Sequence, residues 1–289
     1  FKDTKRITKI LWKQNRIKLL IWIVSLVVIS IATAYSYGEV YLDEKDIYGF
    51  AATMDNPAMK AMFGPGYPKE LYNIGTVFAM EMLMFTGLAV IILNIMLVSS
   101  STRNDEEEGR LEMIRALPTG RLSYLMASGI MVVAVNIIIG LGISIGLGSI
   151  GQSSMTWDAC FLYGALISAV GLFFASVTAL SSQLAQTSRG ASSIAYGVLI
   201  ISYIMRAIGD VNKDLEVLSH LSPLGWLVRS NVFLENRWWP VFIFLFATVV
   251  IGVFSLYFNI KRDINVGLLP ARKGRRTALP YLKTILGLV

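Results

Sequence analysis

Gly87-Leu-Ala-Val-Ile-Ile-Leu-Asn-Ile-Met-Leu-Val98 is apolar on every face but for one amide, and Val241-Phe-Ile-Phe-Leu-Phe-Ala-Thr-Val-Val-Ile-Gly-Val-Phe-Ser-Leu-Tyr-Phe258 repeats the pattern at greater length. Neither stretch alternates, so neither can be a strand of a transmembrane barrel, which needs segments of about ten residues alternating apolar and polar. Neither keeps a polar face for water, so neither is a surface helix of a soluble domain. A continuous apolar run of about twenty residues is the length of a helix that crosses the hydrocarbon core. In hydrocarbon only a helix satisfies its backbone within one segment. These stretches set the fold class: an all-α membrane protein.

Six blocks of this kind follow one another, at about 17–37, 76–100, 123–148, 158–180, 190–208 and 238–260. The composition agrees: 55% of the residues are hydrophobic and 16% charged, against about 25% charged in soluble domains. Residues 17–260 therefore read as a six-helix transmembrane domain. The first block is too long for the apolar core of a signal peptide, roughly 7–15 residues, and reads as a permanent span. Residues 38–75 carry six acids against three lysines, with Pro57, Pro65 and Pro68, and read as a small cap outside the membrane. Residues 209–237, with Ser222-Pro-Leu-Gly-Trp226 and Trp238-Trp-Pro240 close by, read as interfacial structure on the same side.

Lys and Arg set the orientation. Segments 1–18, 101–122, 181–189 and 261–289 hold 19 of them, and the intervening segments hold 7. Both ends of the chain are thus expected in the cytoplasm of a bacterial plasma membrane. Residues 1–16 are expected to form an interfacial helix: Ile7, Ile10, Leu11 and Ile17 recur at helical spacing between basic residues; a plain basic flank is the alternative. Residues 261–289 form a basic cytoplasmic segment.

Soluble chemistry finds little to work with. No G-x-x-x-x-G-K-[ST] phosphate loop is present. Gly140, Gly142, Gly146 and Gly148 follow no strand and suit close helix packing. His220 is the one histidine and Cys160 the one cysteine, so a histidine metal cluster, a His-based triad and an intrachain disulfide are excluded. No catalytic residue and no metal site is expected. The net charge of +7 falls in segments that flank apolar blocks, which fits lipid headgroups rather than nucleic acid.

The most informative segment joins spans two and three: Thr102-Arg-Asn-Asp-Glu-Glu-Glu-Gly-Arg-Leu-Glu-Met-Ile-Arg-Ala-Leu-Pro-Thr-Gly-Arg121. Asp105 to Glu108 suit a helix N-terminus. Leu111, Ile114 and Leu117 share one face, and Glu106–Arg110 and Glu112–Arg115 are spaced to pair across a turn. Pro118 should stop the helix. A short charged helix over 105–117 is predicted, its apolar stripe buried by a protein partner, by the chain's own helices or by lipid.

This run resembles the first cytoplasmic loop of type-2 ATP-binding-cassette (ABC) transporter permeases, in the branch that exports polyketide antibiotics and other drugs. Gln183-Leu-Ala-Gln-Thr-Ser-Arg189, Met205-Arg-Ala-Ile-Gly-Asp210, Leu221-Ser-Pro-Leu-Gly-Trp226 and Arg237-Trp-Trp-Pro240 are similar to that branch's later segments. The resemblance covers most of residues 100–260. It implies a permease that pairs with cytoplasmic ABC ATPase subunits, two in number, which bind the ATP and Mg. It implies ATPase coupling through Glu106, Glu107, Glu108, Arg110, Leu111, Glu112, Ile114, Arg115 and Leu117, with a second contact at Gln183 and Arg189. Members of this branch often join two six-span halves. The present chain is expected to be the N-terminal half of such a protein, 261–289 leading toward the second half; a half that pairs with a second copy is the alternative.

Polar groups inside spans are functional candidates by default. Glu81 lies roughly 7 Å from the outer end of span two, at about 1.5 Å per residue. It is a candidate for the substrate pathway, drawing in cationic cargo, or a partner for Arg206. Asn94 and Asn136 are candidates for the same pathway, or for hydrogen bonds between helices. An ATP-driven exporter of an amphipathic or hydrophobic compound is the leading reading. An ion-coupled secondary transporter and a non-transporting scaffold or sensor are the rivals.

Overall fold

The computed structural model describes residues 3–41, 44–116, 119–120, 122–262 and 267–268. Six of its helices are long and apolar enough to cross a membrane, and the chain is a multi-pass membrane protein. Helix α1 covers Thr4–Val40, followed by the short α2 (Glu44–Thr53) and α3 (Pro57–Phe63), then α4 (Ile74–Ser99). After α4 come α5 (Asp105–Glu107) and α6 (Arg110–Arg115), then α7 (Ser123–Ser149), α8 (Trp157–Leu184) and α9 (Ser188–Val211). The short α10 (Glu216–Leu221) and α11 (Pro223–Val228) precede α12 (Trp239–Lys261).

Helix α8 is the axis of the bundle and packs on α4, α7, α9 and α12, while α1 lies against α7 and α4. Small residues set the closest approach. A Cβ on Gly140 of α7 would collide with Ser168 Oγ and the Gly164 carbonyl of α8. Gly142 and Gly146 receive Val27 and Ile31 of α1. Without water to drive apolar groups together, such backbone contact is how membrane helices hold one another.

The amphipathic segment expected over 1–16 is helical but is no separate element. It runs without a break into the first span, making one helix of 37 residues, about 55 Å long at 1.5 Å per residue. No glycine or proline interrupts 4–37. Ile7 and Leu11 are buried in the main core, so packing holds this segment in line with the span.

Alternating crossings place the starts of α1, α7 and α9 and the ends of α4, α8 and α12 on one side, here the N-side. The opposite side carries the cap, where α2, α3 and the turn Lys69–Leu71 enclose Phe50, Met54, Phe63 and Tyr72 over the start of α4. Tyr67 donates to Asn231 Oδ1 at 3.3 Å, and burial beside Tyr72 pushes its phenol well above the ordinary range. Arg206 latches the cap to α9. Its Nη2 donates to the Ala61 and Met62 carbonyls in the last turn of α3, and its Nη1 pairs with Asp210 at 3.2 Å.

Candidate functional site

At the N-side, α4 does not simply end. Ser100–Asn104 form one wide π-turn with a kink at Ser101, a feature that often marks functional positions. The chain then makes one turn of helix, α5, and breaks at Gly109, whose φ of 73° is left-handed. The single helix expected over 105–117 is therefore two short ones. The sequence signal for the break was Gly109 itself, a residue that adopts this conformation at little cost.

The break turns the acids of α5 in different directions. Glu106, 2% exposed, points inward and accepts from Arg262 Nη1 at 2.8 Å and Nη2 at 2.5 Å. Arg103 Nη1 stands 3.1 Å from the same carboxylate, an ion pair without hydrogen-bond alignment. Arg103 also donates Nε and Nη2 to the Gln186 carbonyl in the α8–α9 loop. Gln183, at the end of α8, accepts from Arg262 Nε at 2.7 Å and Asn259 Nδ2 at 3.0 Å through one oxygen. Asp105 is buried between Tyr124 of α7, which donates to it, and Arg110, at 2.6 Å. Glu107 takes the Ser188 amide at the start of α9, at 2.7 Å. Ser99, Ser188 and Ser192 share hydroxyl contacts at 2.8 and 2.9 Å. One loop is thus tied to the ends of α4, α7, α8, α9 and α12.

These contacts correct several expectations. Glu106 and Gln183 are both buried in the hub, behind the exposed face of α5–α6. Glu106 pairs with Arg262 and Arg103 rather than with Arg110, whose partners are Asp105 and Glu108. Leu111 is 6% exposed and belongs to the main core, and Ile114 packs half-buried against it. The chain's own helices therefore bury Leu111 and half-bury Ile114. The outward face carries Glu107, Glu108, Glu112 and Met113, the last 67% exposed. Arg189 is exposed near it. Arg115 closes α6; its side chain and the whole of Leu117 lie outside the described residues, as does nearly all of 261–289. Sequence reasoning placed Asp105 in the predicted helix without its buried partners, and missed Arg103, Tyr124 and Arg262. Arg103 had a signal, its i, i+3 spacing from Glu106, whereas Arg262 read only as a topology flank.

Within the spans, Asn94 of α4 and Asn136 of α7 exchange side-chain hydrogen bonds at 3.0 and 2.8 Å. Each amide also donates to a carbonyl of its own helix at 2.8 Å. Both are fully buried, with Gly171 of α8 pressed against them. In this arrangement they clamp two helices, the interhelical role that their sequence positions also allowed. Glu81 stays a candidate by position: it is half-buried on α4, without an ion-pair partner among the described residues, since Arg206 is committed to Asp210 and the cap.

Residues 8–258 match the family described as multidrug efflux system permease Rv1217c, C-terminal domain. The chain belongs to that family. It is also similar to the multidrug efflux system permease protein Rv1217c of Mycobacterium tuberculosis (strain ATCC 25618 / H37Rv), at 30% identity over 296 residues. That alignment covers the whole chain and 51% of the relative, so the chain spans about half the length of the curated relative it matches. The region matched to the Rv1217c family contains the outward face of α5–α6 and the hub residues from Arg103 to Ser192, and ends just before Asn259 and Arg262.

Proposed function

We propose that this chain is a membrane-spanning permease part of an ATP-driven ABC exporter that moves an amphipathic or hydrophobic compound out of the cell. The N-side is its cytoplasmic side, in agreement with the Lys and Arg count. Two ATPase subunits bring the ATP and Mg, and a second six-helix half, in the same polypeptide or as a second copy, completes the pathway. The hub carries this reading. A push on the outward face of α5–α6 is delivered to α12 through the buried Glu106–Arg262 ion pair and to α7, α8 and α9 through hydrogen bonds, which suits a permease driven from outside the membrane. Closely packed contacts transmit small displacements rather than absorb them. The outward face is acidic around one exposed methionine, so the docking surface on the ATPase should be basic around an apolar pocket. The family membership supports the same reading, since the relative's name describes multidrug efflux.

On this account Glu81 faces the cargo and favours cationic amphiphiles. The ion-coupled alternative needs a chain of carboxylates near mid-membrane. Among the described residues the acids within the spanning helices away from the N-side are Glu39, Glu81, Asp158 and Asp210, all toward the cap, and Asp210 is bound by Arg206 and Ser219.

Inverted membrane vesicles from cells carrying the whole transporter test the reading. Uptake of a fluorescent amphipathic cation should require ATP, survive collapse of the ion gradients, and fall several-fold in Glu81→Gln. Uptake that follows the gradients and ignores ATP would favour the ion-coupled alternative.

A further inference from the structure

The N-terminal third of α1 carries more positive charge than its surroundings neutralise. Residues 4–38 contain no acid. Arg6 reaches Asp3 at 3.9 Å; Lys5, Lys9, Lys13 and Arg16 are without an ion-pair partner among the described residues. All are exposed, yet the face is not simply a solvated one, because Ile10 and Ile17 stand exposed among them. Beside Lys5 and Lys9 an open groove of about 610 Å³ runs between α1 and α7, walled by Trp12 and Ile130.

The depth of this groove can be read from the packing. Val27 meets Gly142 and Ile31 meets Gly146, so α1 and α7 run parallel with a constant offset. Counted back along it, Lys9 stands level with Tyr124, in the first turn of α7. Lys9 is therefore level with the N-side end of α7 and Lys5 lies a turn beyond it, at headgroup height, while Trp12 and Ile130 stand deeper, toward the hydrocarbon. Lysine stems lie along apolar surface with the ammonium at the interface, and tryptophan favours the same level.

We propose that Lys5, Lys9, Trp12 and Ile130 form a binding site for one anionic phospholipid of the adjoining leaflet. The two ammonium groups hold the phosphodiester, and Trp12 and Ile130 flank the upper part of an acyl chain. Charge complementarity selects the headgroup, and the apolar wall selects a lipid over a soluble anion. The site does not depend on the exporter reading.

Native mass spectrometry of the detergent-purified full protein, titrated with phosphatidylglycerol or phosphatidylcholine, tests the proposal. Phosphatidylglycerol should bind roughly 25-fold tighter, since each of the two lysines at a membrane surface contributes roughly a five-fold preference for anionic lipid. Lys5→Gln/Lys9→Gln should abolish that preference, and Lys5→Arg/Lys9→Arg should keep it. The control Lys69→Gln/Lys213→Gln, with the same charge loss on the cap side, should also keep it. Glycerol phosphate, which lacks acyl chains, should not displace the lipid. Equal binding of both lipids, equal loss from the control, or displacement by glycerol phosphate would each overturn it. So would a Gln pair that keeps its lipid and instead loses a co-purifying protein.

Discussion

The carboxylate of Glu106 takes both terminal nitrogens of Arg262, at 2.8 and 2.5 Å, across a separation of 156 residues. Both side chains are more than nine-tenths buried. A buried pair of this kind is expensive to break, because removing one partner leaves the other charge uncompensated. Glu106→Gln should therefore cost about 3–5 kcal/mol, read as a lowered unfolding midpoint in detergent. Glu106→Gln/Arg262→Gln should cost less than the two single changes summed, without full recovery, because Arg103 still faces position 106. A loss within about 0.5 kcal/mol, the range of ordinary surface changes, would mean that Glu106 is solvated.

The Asn94–Asn136 clamp predicts a smaller effect. Polar pairs between membrane helices contribute about 0.6 kcal/mol on average and up to about 1.7. Asn94→Ala and Asn136→Ala should each lie near the upper end, since both amides are fully buried, and the double change should be clearly less than additive in thermal melts. Cargo selectivity should not change. Altered selectivity with unaltered stability would place these residues in the pathway.

Glycines of the same helix should behave differently according to their neighbours. Gly140→Val forces α7 away from α8 and should destabilise by about 1–3 kcal/mol or more. Gly129 has nothing within 4 Å of a built Cβ, so Gly129→Ala should be neutral or slightly stabilising, alanine being the better helix former. Parallel melting curves of the two variants check this contrast.

Much of this architecture was legible in the sequence. The six apolar blocks became six helices because an apolar run of that length has no other stable form in hydrocarbon. The α5–α6 segment was legible as charged and amphipathic, but not in its direction. Burial of Leu111 and Glu106 depends on which helix ends converge at the N-side, and residues 103, 124, 183 and 262 meet there only after the bundle forms. Helix spacing reports a stripe, not the surface that covers it. The uninterrupted α1 was likewise hidden, since the same amphipathic pattern serves an interfacial helix and one that packs along its neighbours.

Arg206 supplies a test of the cap. Arg206→Met removes the donors to the Ala61 and Met62 carbonyls and leaves Asp210 buried beside Ser219. Hydrogen exchange of residues 57–63 should accelerate while the spans stay protected. Unchanged exchange there would show that apolar contacts alone hold the cap.

The most direct test of the central claim places a photo-crosslinking amino acid at position 113, on the outward face of α6, in cells carrying the whole transporter. Irradiation should join this chain to an ATP-binding protein, and the same label at Ile137, an exposed position on a span, should not. Crosslinks from position 113 to lipid or to this chain alone would contradict the account.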